Sequence, residues 1–189
     1  MKFQETRLKG AFVVEMERRE DSRGSFARTW CEEEFRSHGL NTSMVQGNTA
    51  YSKTRGTLRG LHLQKAPHEE AKLIRCIRGS IYDVILDLRP NSPTFKEWLS
   101  LELNEKSNFM LFVPEGFAHG YQTLADDTEV FYLVSEFYAP ECEVGIRYDE
   151  LAFQIRWPIR DDILISDKDK NWPDFSAQGK DIRPFKTID

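Results

Sequence analysis

The feature of the sequence that most constrains its fold is a series of short runs separated by turn residues. Within these runs, side chains of different polarity alternate along the chain. Two such runs within residues 73–89 meet at Gly79. One face of the second run carries Ile81, Asp83, Ile85 and Asp87, and the other carries Tyr82, Val84, Leu86 and Leu88. This alternation is typical of β-strands. Further strands are predicted at residues 109–113, 128–135 and 145–148.

Helix is scarce by comparison. The clearest helical segment runs from Glu32 to His38, and Gly39 is placed to end it. Many short strands separated by turns, such as those at residues 90–93 and 114–116, predict a sandwich or barrel, with a jelly roll among the options. The fold class is therefore mainly β with a few short helices.

Length and charge narrow the class of protein. The chain has 189 residues, and about 150 residues is typical of one domain. It contains no repeat and no long linker, so we expect a single domain over residues 1–189, with an irregular tail from about residue 176. The net charge is -5, from 26 basic and 31 acidic residues. This balance disfavours a general nucleic-acid binder held by phosphate contacts.

The sequence also bears on the cellular compartment. No stretch approaches the roughly 18 apolar residues of a membrane helix, and the charged amino terminus lacks the apolar core of a signal peptide. The three cysteines, Cys31, Cys76 and Cys142, show no C-x-x-C spacing, so neither a disulfide framework nor a zinc site built from them is expected. We therefore expect a cytoplasmic protein without membrane association.

Three segments carry residues suited to chemistry. Residues 59–64 place His62 in a strand-like context, residues 114–119 deliver His119 onto a strand after a turn, and residues 166–169 form a polar charged cluster. These three features stand above the background of the sequence.

One spacing within the first segment conflicts with a shared site. Arg59 and His62 are three residues apart, so a regular strand would place them on opposite faces. Gly60 between them permits a bulge that would turn both side chains toward one cavity.

Two histidines that follow glycine-containing turns also match part of the cupin metal pattern, at residues 56–62 and 114–119. The expected second histidine of the first half is Gln64, which is a poor ligand. The remaining donors are His62, His119 and Glu69. These are too few to hold iron, manganese or zinc unless another ligand joins them, so no metal site is predicted.

Motifs distributed along the chain share one family pattern. They are residues 21–26, 46–48, 56–64, 72–75, 87–89 with 92–95, 113–120, 155–158 and 166–169. Together they run from about residue 5 to about residue 175, and they resemble the dTDP-4-dehydrorhamnose 3,5-epimerases of nucleotide-sugar metabolism. The resemblance implies a cupin-like double-stranded β-helix, or jelly roll, with isomerase activity.

The activity implied by this resemblance is epimerisation of a nucleotide-linked 4-keto-6-deoxy sugar, first among them dTDP-4-dehydro-6-deoxy-D-glucose. Removal of a proton beside the ketone gives an enolate, and reprotonation from the opposite face inverts the carbon. The resemblance assigns the base to His62, its orienting carboxylate to Asp169, the proton donor to Tyr132 and oxyanion stabilisation to Lys72. It implies no cofactor and no metal.

The resemblance also implies a set of substrate-binding residues and a homodimer. Arginine forks suit a pyrophosphate, and a tyrosine face suits a nucleotide base. The binding residues are Arg23, Gln46, Asn48, Arg59, His119, Tyr138, Glu143 and Lys168. The expected partners are therefore a nucleotide-sugar substrate and a second copy of the chain.

Departures from the family pattern leave alternatives open. Arg28 stands where many members carry a glutamate that helps to bind the nucleotide, and residues 65–70 and 147–150 also differ. A carbon-3 monoepimerase or an epimerase of another nucleotide sugar, such as a CDP-linked one, is the alternative among enzymes. A non-catalytic sugar- or metal-binding cupin is the alternative from another class. Each site residue also has a plain structural interpretation, as a core side chain or a solvated charge.

Overall fold

Two stacked β-sheets form the core of the computed structural model, which describes residues 1–175. The irregular tail predicted from about residue 176 lies outside the described residues. The first six strands are β1 (Lys2–Glu5), β2 (Phe12–Glu15), β3 (Arg19–Asp21), β4 (Gly24–Phe26), β5 (Gln46–Ser52) and β6 (Thr57–Gln64). The next four are β7 (Lys72–Arg78), β8 (Ser80–Asp87), β9 (Trp98–Asn104) and β10 (Phe109–Val113). The last four are β11 (Phe117–Thr123), β12 (Thr128–Val134), β13 (Glu143–Gly145) and β14 (Leu164–Ile165).

Most neighbouring strands in these sheets are far apart in sequence. The first sheet has the order β1-β2-β10-β7-β12-β5, and the second has the order β13-β6-β11-β8-β9. Strand β14 adds to β6 in parallel, whereas within residues 1–175 β3 and β4 pair only with each other as a hairpin. This connectivity is that of a jelly roll, so the predicted fold class is confirmed.

The alternation along β8 separates two hydrophobic clusters. Ile81 and Ile85 are fully buried between the sheets, where they pack with Ile74 and Leu111 of the first sheet. Val84 and Leu86, on the opposite face of β8, belong to a second cluster on the outer side of their sheet. Full burial of a side chain of this size contributes roughly 1.5–3 kcal/mol. The register of β8 is therefore fixed by both of its faces.

The predicted strand at residues 145–148 is wrong. Strand β13 ends at Gly145, and although Ile146 still exchanges backbone hydrogen bonds with Leu61 (3.1 and 2.9 Å), the chain then turns away. Ile146 packs with Phe153 and Trp157 in the cluster on the outer side of the second sheet. Its apolar character thus belongs to a covering segment and not to a longer strand.

The predicted helix is confirmed as α1 (Glu32–Ser37). Three glutamates occupy its first turn, where their negative charge interacts favourably with the helix dipole. Phe35 is fully buried. A second short helix, α2 (Asp167–Lys170), and a 3₁₀ turn at Pro140–Cys142 complete the elements. Within residues 1–175, no helix is long and apolar enough to cross a bilayer.

The bulge predicted at Gly60 is present in β6. His62 pairs with His119 and Arg59 with Tyr121, so β6 carries one more residue than β11 between these two pairs. Gly60 has a φ of 100°, in the left-handed region that favours glycine. As a result, Arg59 and His62 line the same cavity, and the conflict in their spacing is resolved.

We expect Gly60→Ala to destabilise the protein strongly. A Cβ at this position would lie 2.6 Å from the carbonyl oxygen of His119 and 2.7 Å from the Cα of Gly120. The backbone strain and the clash together should lower the free energy of unfolding by at least about 3 kcal/mol, measured by urea denaturation.

The matched control for this variant is Gly39→Ala. Gly39 has a φ of 70°, yet a Cβ there would meet nothing within 4 Å. That variant should lose only about 1 kcal/mol from the left-handed backbone. Equal losses in the two variants would contradict a close approach of β6 and β11 at the bulge.

Candidate active site

A cleft between the two sheets contains most of the residues predicted to carry chemistry. It consists of two adjoining cavities of about 560 and 370 Å³. His62, Lys72 and Tyr132 line both of them. His62 lies on β6 of the second sheet, whereas Lys72 on β7 and Tyr132 on β12 belong to the first sheet. A molecule bound in the cleft would therefore contact side chains from both sheets.

All but one of the predicted site residues line this cleft. The larger cavity is lined by Arg59, His62, Lys72, His119, Tyr132, Lys168 and Asp169. The smaller one adds Gln46, Asn48, Tyr138 and Glu143.

Arg23 lies apart from the cleft within one chain. It sits at the turn of the β3–β4 hairpin, its side chain is 88% exposed, and its guanidinium pairs with Asp21 at 2.6 Å. The reason is topological, because this hairpin does not pair with either large sheet.

His62 forms a hydrogen-bonded pair with Asp169. Nε2 of His62 lies 2.6 Å from Oδ1 of Asp169, whose Oδ2 accepts a hydrogen bond from the backbone N–H of Gly60 at 3.2 Å. The backbone N–H of Asp169 donates to Ser166, the N-cap residue of α2. Burial opposes ionisation of Asp169, but the hydrogen bonds from His62 and Gly60 outweigh it and lower the pKa of the carboxyl. An ionised Asp169 holds hydrogen on Nε2 and leaves Nδ1 of His62 to accept a proton.

Tyr132 approaches the cleft from the opposite sheet. Burial, together with the nearby charge of Glu70, raises the pKa of its hydroxyl. Tyr132 therefore stays protonated, as a proton donor must.

Lys72 is held beside Tyr132 by a carboxylate that the sequence analysis did not select. Its Nζ lies 2.8 Å from Oε1 of Glu70, and the two side chains are only 12% and 11% exposed. The signal for this pair was the spacing of two residues, which places both side chains on one side of an extended chain.

Glu143 organises the outer end of the cleft. Its Oε2 accepts hydrogen bonds from the hydroxyl of Tyr138 at 2.6 Å and from Nζ of Lys168 at 2.5 Å. Burial opposes ionisation of Glu143, but these two donors outweigh it and lower its pKa. The backbone N–H of Tyr138 also donates to Gln46 at 3.1 Å. Tyr138 is therefore anchored at its hydroxyl and at its backbone N–H, while 59% of the residue stays exposed.

His119 forms a second histidine–aspartate pair in the same cleft. Its Nε2 lies 2.6 Å from Oδ1 of Asp83, and Asp83 is fully buried. The sequence analysis placed Asp83 on a strand face with two isoleucines but did not assign it to the site. A carboxylate on an apolar strand face was the signal that could have identified it.

Among residues 1–175, His62 and His119 are neighbours across two strands, but they are not part of a group of three or more metal-binding side chains. The cluster that could hold a metal there consists of His68, Glu141 and Cys142, whose donor atoms lie within 4.8 Å of one another. It excludes both His62 and His119. All three cysteines are free, and burial raises the pKa of Cys76 to about 11, as expected of a core thiol.

The lowered pKa of Asp169 predicts a pH-dependent contribution to stability. Because the native state favours the ionised carboxylate, the contribution is complete above the ordinary value of 3.8 and is lost as pH falls through the lower native value. We expect Asp169→Asn to cost about 1–3 kcal/mol near neutral pH and the gap to wild type to narrow in acid. Urea denaturation across this pH range measures it.

Asp21→Asn is the control, since Arg23 also lowers the pKa of Asp21 but the pair is exposed. A gap between wild type and Asp169→Asn that is independent of pH would contradict the assignment.

Comparison with known proteins agrees with this arrangement. The sequence profile of the family described as dTDP-4-dehydrorhamnose 3,5-epimerase matches residues 5–177. The dTDP-4-dehydrorhamnose 3,5-epimerase of Methanothermobacter thermautotrophicus is 44% identical over 173 residues, covering 90% of this chain and 92% of that protein.

Solved structures show the same relationship. The dTDP-4-dehydrorhamnose 3,5-epimerase of Bacillus anthracis with TDP and PPi bound superposes with a TM-score of 0.88 at 40% identity, covering 92% of this chain and 99% of that one. A 3'-monoepimerase from Streptomyces bikiniensis in complex with dTDP-quinovose gives a TM-score of 0.86 at 33% identity, covering 95% and 91%. With a match across nearly the whole chain in both sequence and fold, the protein belongs to the dTDP-4-dehydrorhamnose 3,5-epimerase family.

Proposed function

We propose that the protein inverts carbons 3 and 5 of dTDP-4-dehydro-6-deoxy-D-glucose and releases dTDP-4-dehydro-L-rhamnose. The observation that carries this proposal is the placement of His62 and Tyr132 on opposite sheets around one cleft. Inversion of a carbon needs a base on one face of the sugar and an acid on the other.

The chemical steps follow from the protonation states of these groups. Nδ1 of His62 takes the proton from the carbon beside the ketone, and the electron pair of that C–H bond moves onto the carbonyl oxygen as an enolate. The ammonium of Lys72 stabilises the negative oxygen. Tyr132 then gives its hydroxyl proton to the same carbon from the opposite face as the carbonyl re-forms. Exchange with solvent returns the proton of Tyr132 and removes that of His62.

The nucleotide is placed at the outer end of the cleft. Arg59 and Lys168 supply positive charge for the pyrophosphate, and the guanidinium of Arg59 is oriented by Ser52 and the backbone carbonyl of Tyr51. The exposed, doubly anchored ring of Tyr138 offers a face for the base. Gln46 and Asn48 line the smaller cavity together with Tyr138.

We further propose that the protein acts in the cytoplasm as a homodimer in which Arg23 serves the cleft of the partner. The β3–β4 hairpin is exposed along its whole length, and Phe26 at its end is 70% exposed. An exposed large apolar residue and an arginine on a hairpin that pairs only with itself suit an interface with a second copy.

A carbon-3 monoepimerase is the second candidate, favoured by the 33% identity to the Streptomyces bikiniensis enzyme. The identity of the nucleotide is the other open choice. Arg28, which pairs with Glu34 at 3.0 Å, presents a hydrogen-bond donor where many family members carry the acceptor of a glutamate. A donor and an acceptor read different edges of a base. Each alternative predicts its own labelling result.

In heavy water we expect deuterium to enter carbons 3 and 5 of dTDP-4-dehydro-6-deoxy-D-glucose. Proton NMR and mass spectrometry of the sugar measure this incorporation. His62→Ala should lower the rate of incorporation by about 1,000-fold, and Tyr132→Phe should lower product formation by about 100-fold, because general acid–base groups contribute factors of this size. Tyr132→Phe should still exchange the proton that His62 removes.

The controls are His38→Ala at the end of α1 and Tyr82→Phe on the outer face of the second sheet, which should react at wild-type rates. Label at carbon 3 alone would support the monoepimerase. Incorporation only with a CDP-linked sugar would overturn the choice of nucleotide. Absence of label with either nucleotide would contradict the epimerase.

Mixed dimers test the proposed role of Arg23. Arg23→Ala should lower kcat/KM at least about tenfold, because charge-assisted hydrogen bonds between arginine and phosphate are among the strong hydrogen bonds of proteins. When Arg23→Ala and His62→Ala chains are co-expressed, half of the dimers should be mixed and each should contain one intact cleft. Activity should therefore recover to about a quarter of wild type.

Arg19→Ala in the same hairpin is the control and should need no rescue. Activity no higher than the mean of the two parent variants, or a monomer by analytical ultracentrifugation, would show that the hairpin does not serve a partner.

A further inference from the structure

Asp83 is a carboxylate on a strand face that packs into the apolar core between the two sheets. It lies on β8 between Ile81 and Ile85, which are both fully buried in the core between the sheets. Asp83 is itself fully buried. Its hydrogen-bonded partner among the described residues is His119, and its Oδ2 is buried without a hydrogen-bond partner in that part of the chain. Placing a charge there is unfavourable for folding, so a functional reason is expected.

Asp87, the next aspartate on the same strand face, provides a comparison because its carboxylate has a structural role. Asp87 is also fully buried, but its two oxygens accept hydrogen bonds from Arg89, Ser92 and Thr94. These residues belong to the loop that follows β8, and none of them lines the cleft. Asp87 thus fixes a loop, whereas Asp83 engages a side chain of the site.

The position of His119 connects Asp83 to the reaction. His119 on β11 is the direct cross-strand neighbour of His62 on β6, and both side chains line the larger cavity. Asp83 lies one diagonal step away, since His119 pairs with Ile85 and Asp83 pairs with Tyr121. The two histidine–aspartate pairs therefore lie side by side in the second sheet and face the same bound molecule.

We propose that Asp83 is a positioning residue for the epimerisation. By accepting the hydrogen bond from Nε2 of His119, it keeps hydrogen on that nitrogen and directs Nδ1 toward the sugar in the cleft. His119 then holds the sugar ring so that the reacting carbon stays over Nδ1 of His62. This inference rests on the proposed function, and it adds a residue that acts through His119 without touching the substrate.

The tautomer of His119 can be measured without any activity. The chain has only four histidines, so their ring nitrogens can be resolved in a long-range proton–nitrogen NMR spectrum and assigned with His119→Gln. We expect Nε2 of His119 to carry hydrogen in the wild-type protein. In Asp83→Asn this preference should be lost, because an amide can donate as well as accept. Hydrogen on Nδ1 alone in the wild type would overturn the proposal.

Kinetics separate positioning from a purely structural role. In Asp83→Asn we expect kcat/KM for deuterium incorporation to fall about 10- to 100-fold, since a carboxylate that fixes a histidine tautomer typically has effects of this order or larger. The affinity for dTDP alone should stay within about twofold of wild type, because His119 acts on the sugar and not on the nucleotide. Asp87→Asn, at the same burial on the same strand face, should lower the melting temperature with wild-type incorporation.

Each other result has one meaning. Wild-type incorporation by Asp83→Asn would show that the pair is structural and overturn the inference alone. An equal loss of dTDP affinity would overturn it in favour of a nucleotide-binding role. Failure of the wild-type protein to incorporate deuterium would contradict the proposed function, and the NMR spectrum would still decide the tautomer of His119.

Discussion

The hydrogen bond between Asp169 and His62 is the interaction on which the rest of the site depends, because it joins segments 107 residues apart. The segment that carries Asp169 reaches β6 through the parallel pairing of β14 and ends in α2, which Ser166 caps. The same carboxylate accepts the backbone N–H of Gly60, the residue that makes the bulge. The bulge, the helix cap and the histidine pair therefore stabilise one another, and loss of any one would displace His62, the base that we propose.

Buried amides serve the site in a second way, by fixing the loops around it. Gln64 was discounted as a metal ligand, and its side chain instead donates to the backbone carbonyls of His68 and Phe137 and accepts from the N–H of Ala139. Those bonds hold the two loops that flank Glu70 and Tyr138. A fully satisfied polar network of this kind rigidifies what it connects. The anchored backbone explains how an exposed ring such as Tyr138 can be held in place.

The sequence predicted those features that arise from local pattern or local backbone freedom. The alternation along β8 follows from having apolar surroundings on both faces, and the bulge follows from Gly60 between two residues that must face one cavity. Features that depend on a distant partner escaped it. Asp83 acquires its role only when folding brings His119 beside it. Glu70 is different, because it lies two residues from Lys72 and the local spacing that pairs them was overlooked. The apolar residues after Gly145 were misread because a covering segment and a strand have the same composition.

Arg23 was selected by the family resemblance, but the structure places it outside the cleft, on a hairpin that is separate from both large sheets within residues 1–175. That position could not be read from local pattern. The strand order of the sheets was likewise beyond local pattern, because β6 pairs with β11 and β13, which lie far along the sequence. Short-range periodicity defines strands, but pairing between distant strands is decided by the joint burial of their faces.

The architecture itself accounts for the division of labour that we propose between base and acid. Packed sheets lie about 10 Å apart, and their facing side chains normally fill that space. Where the cleft opens, the inner faces carry His62 from one sheet and Tyr132 with Lys72 from the other. A flat sugar ring between the sheets would present opposite faces to them, which is the geometry that inversion requires. Burial that keeps Tyr132 protonated and hydrogen bonds that keep Asp169 ionised suit the two sides to the opposite roles in proton transfer that we propose for them.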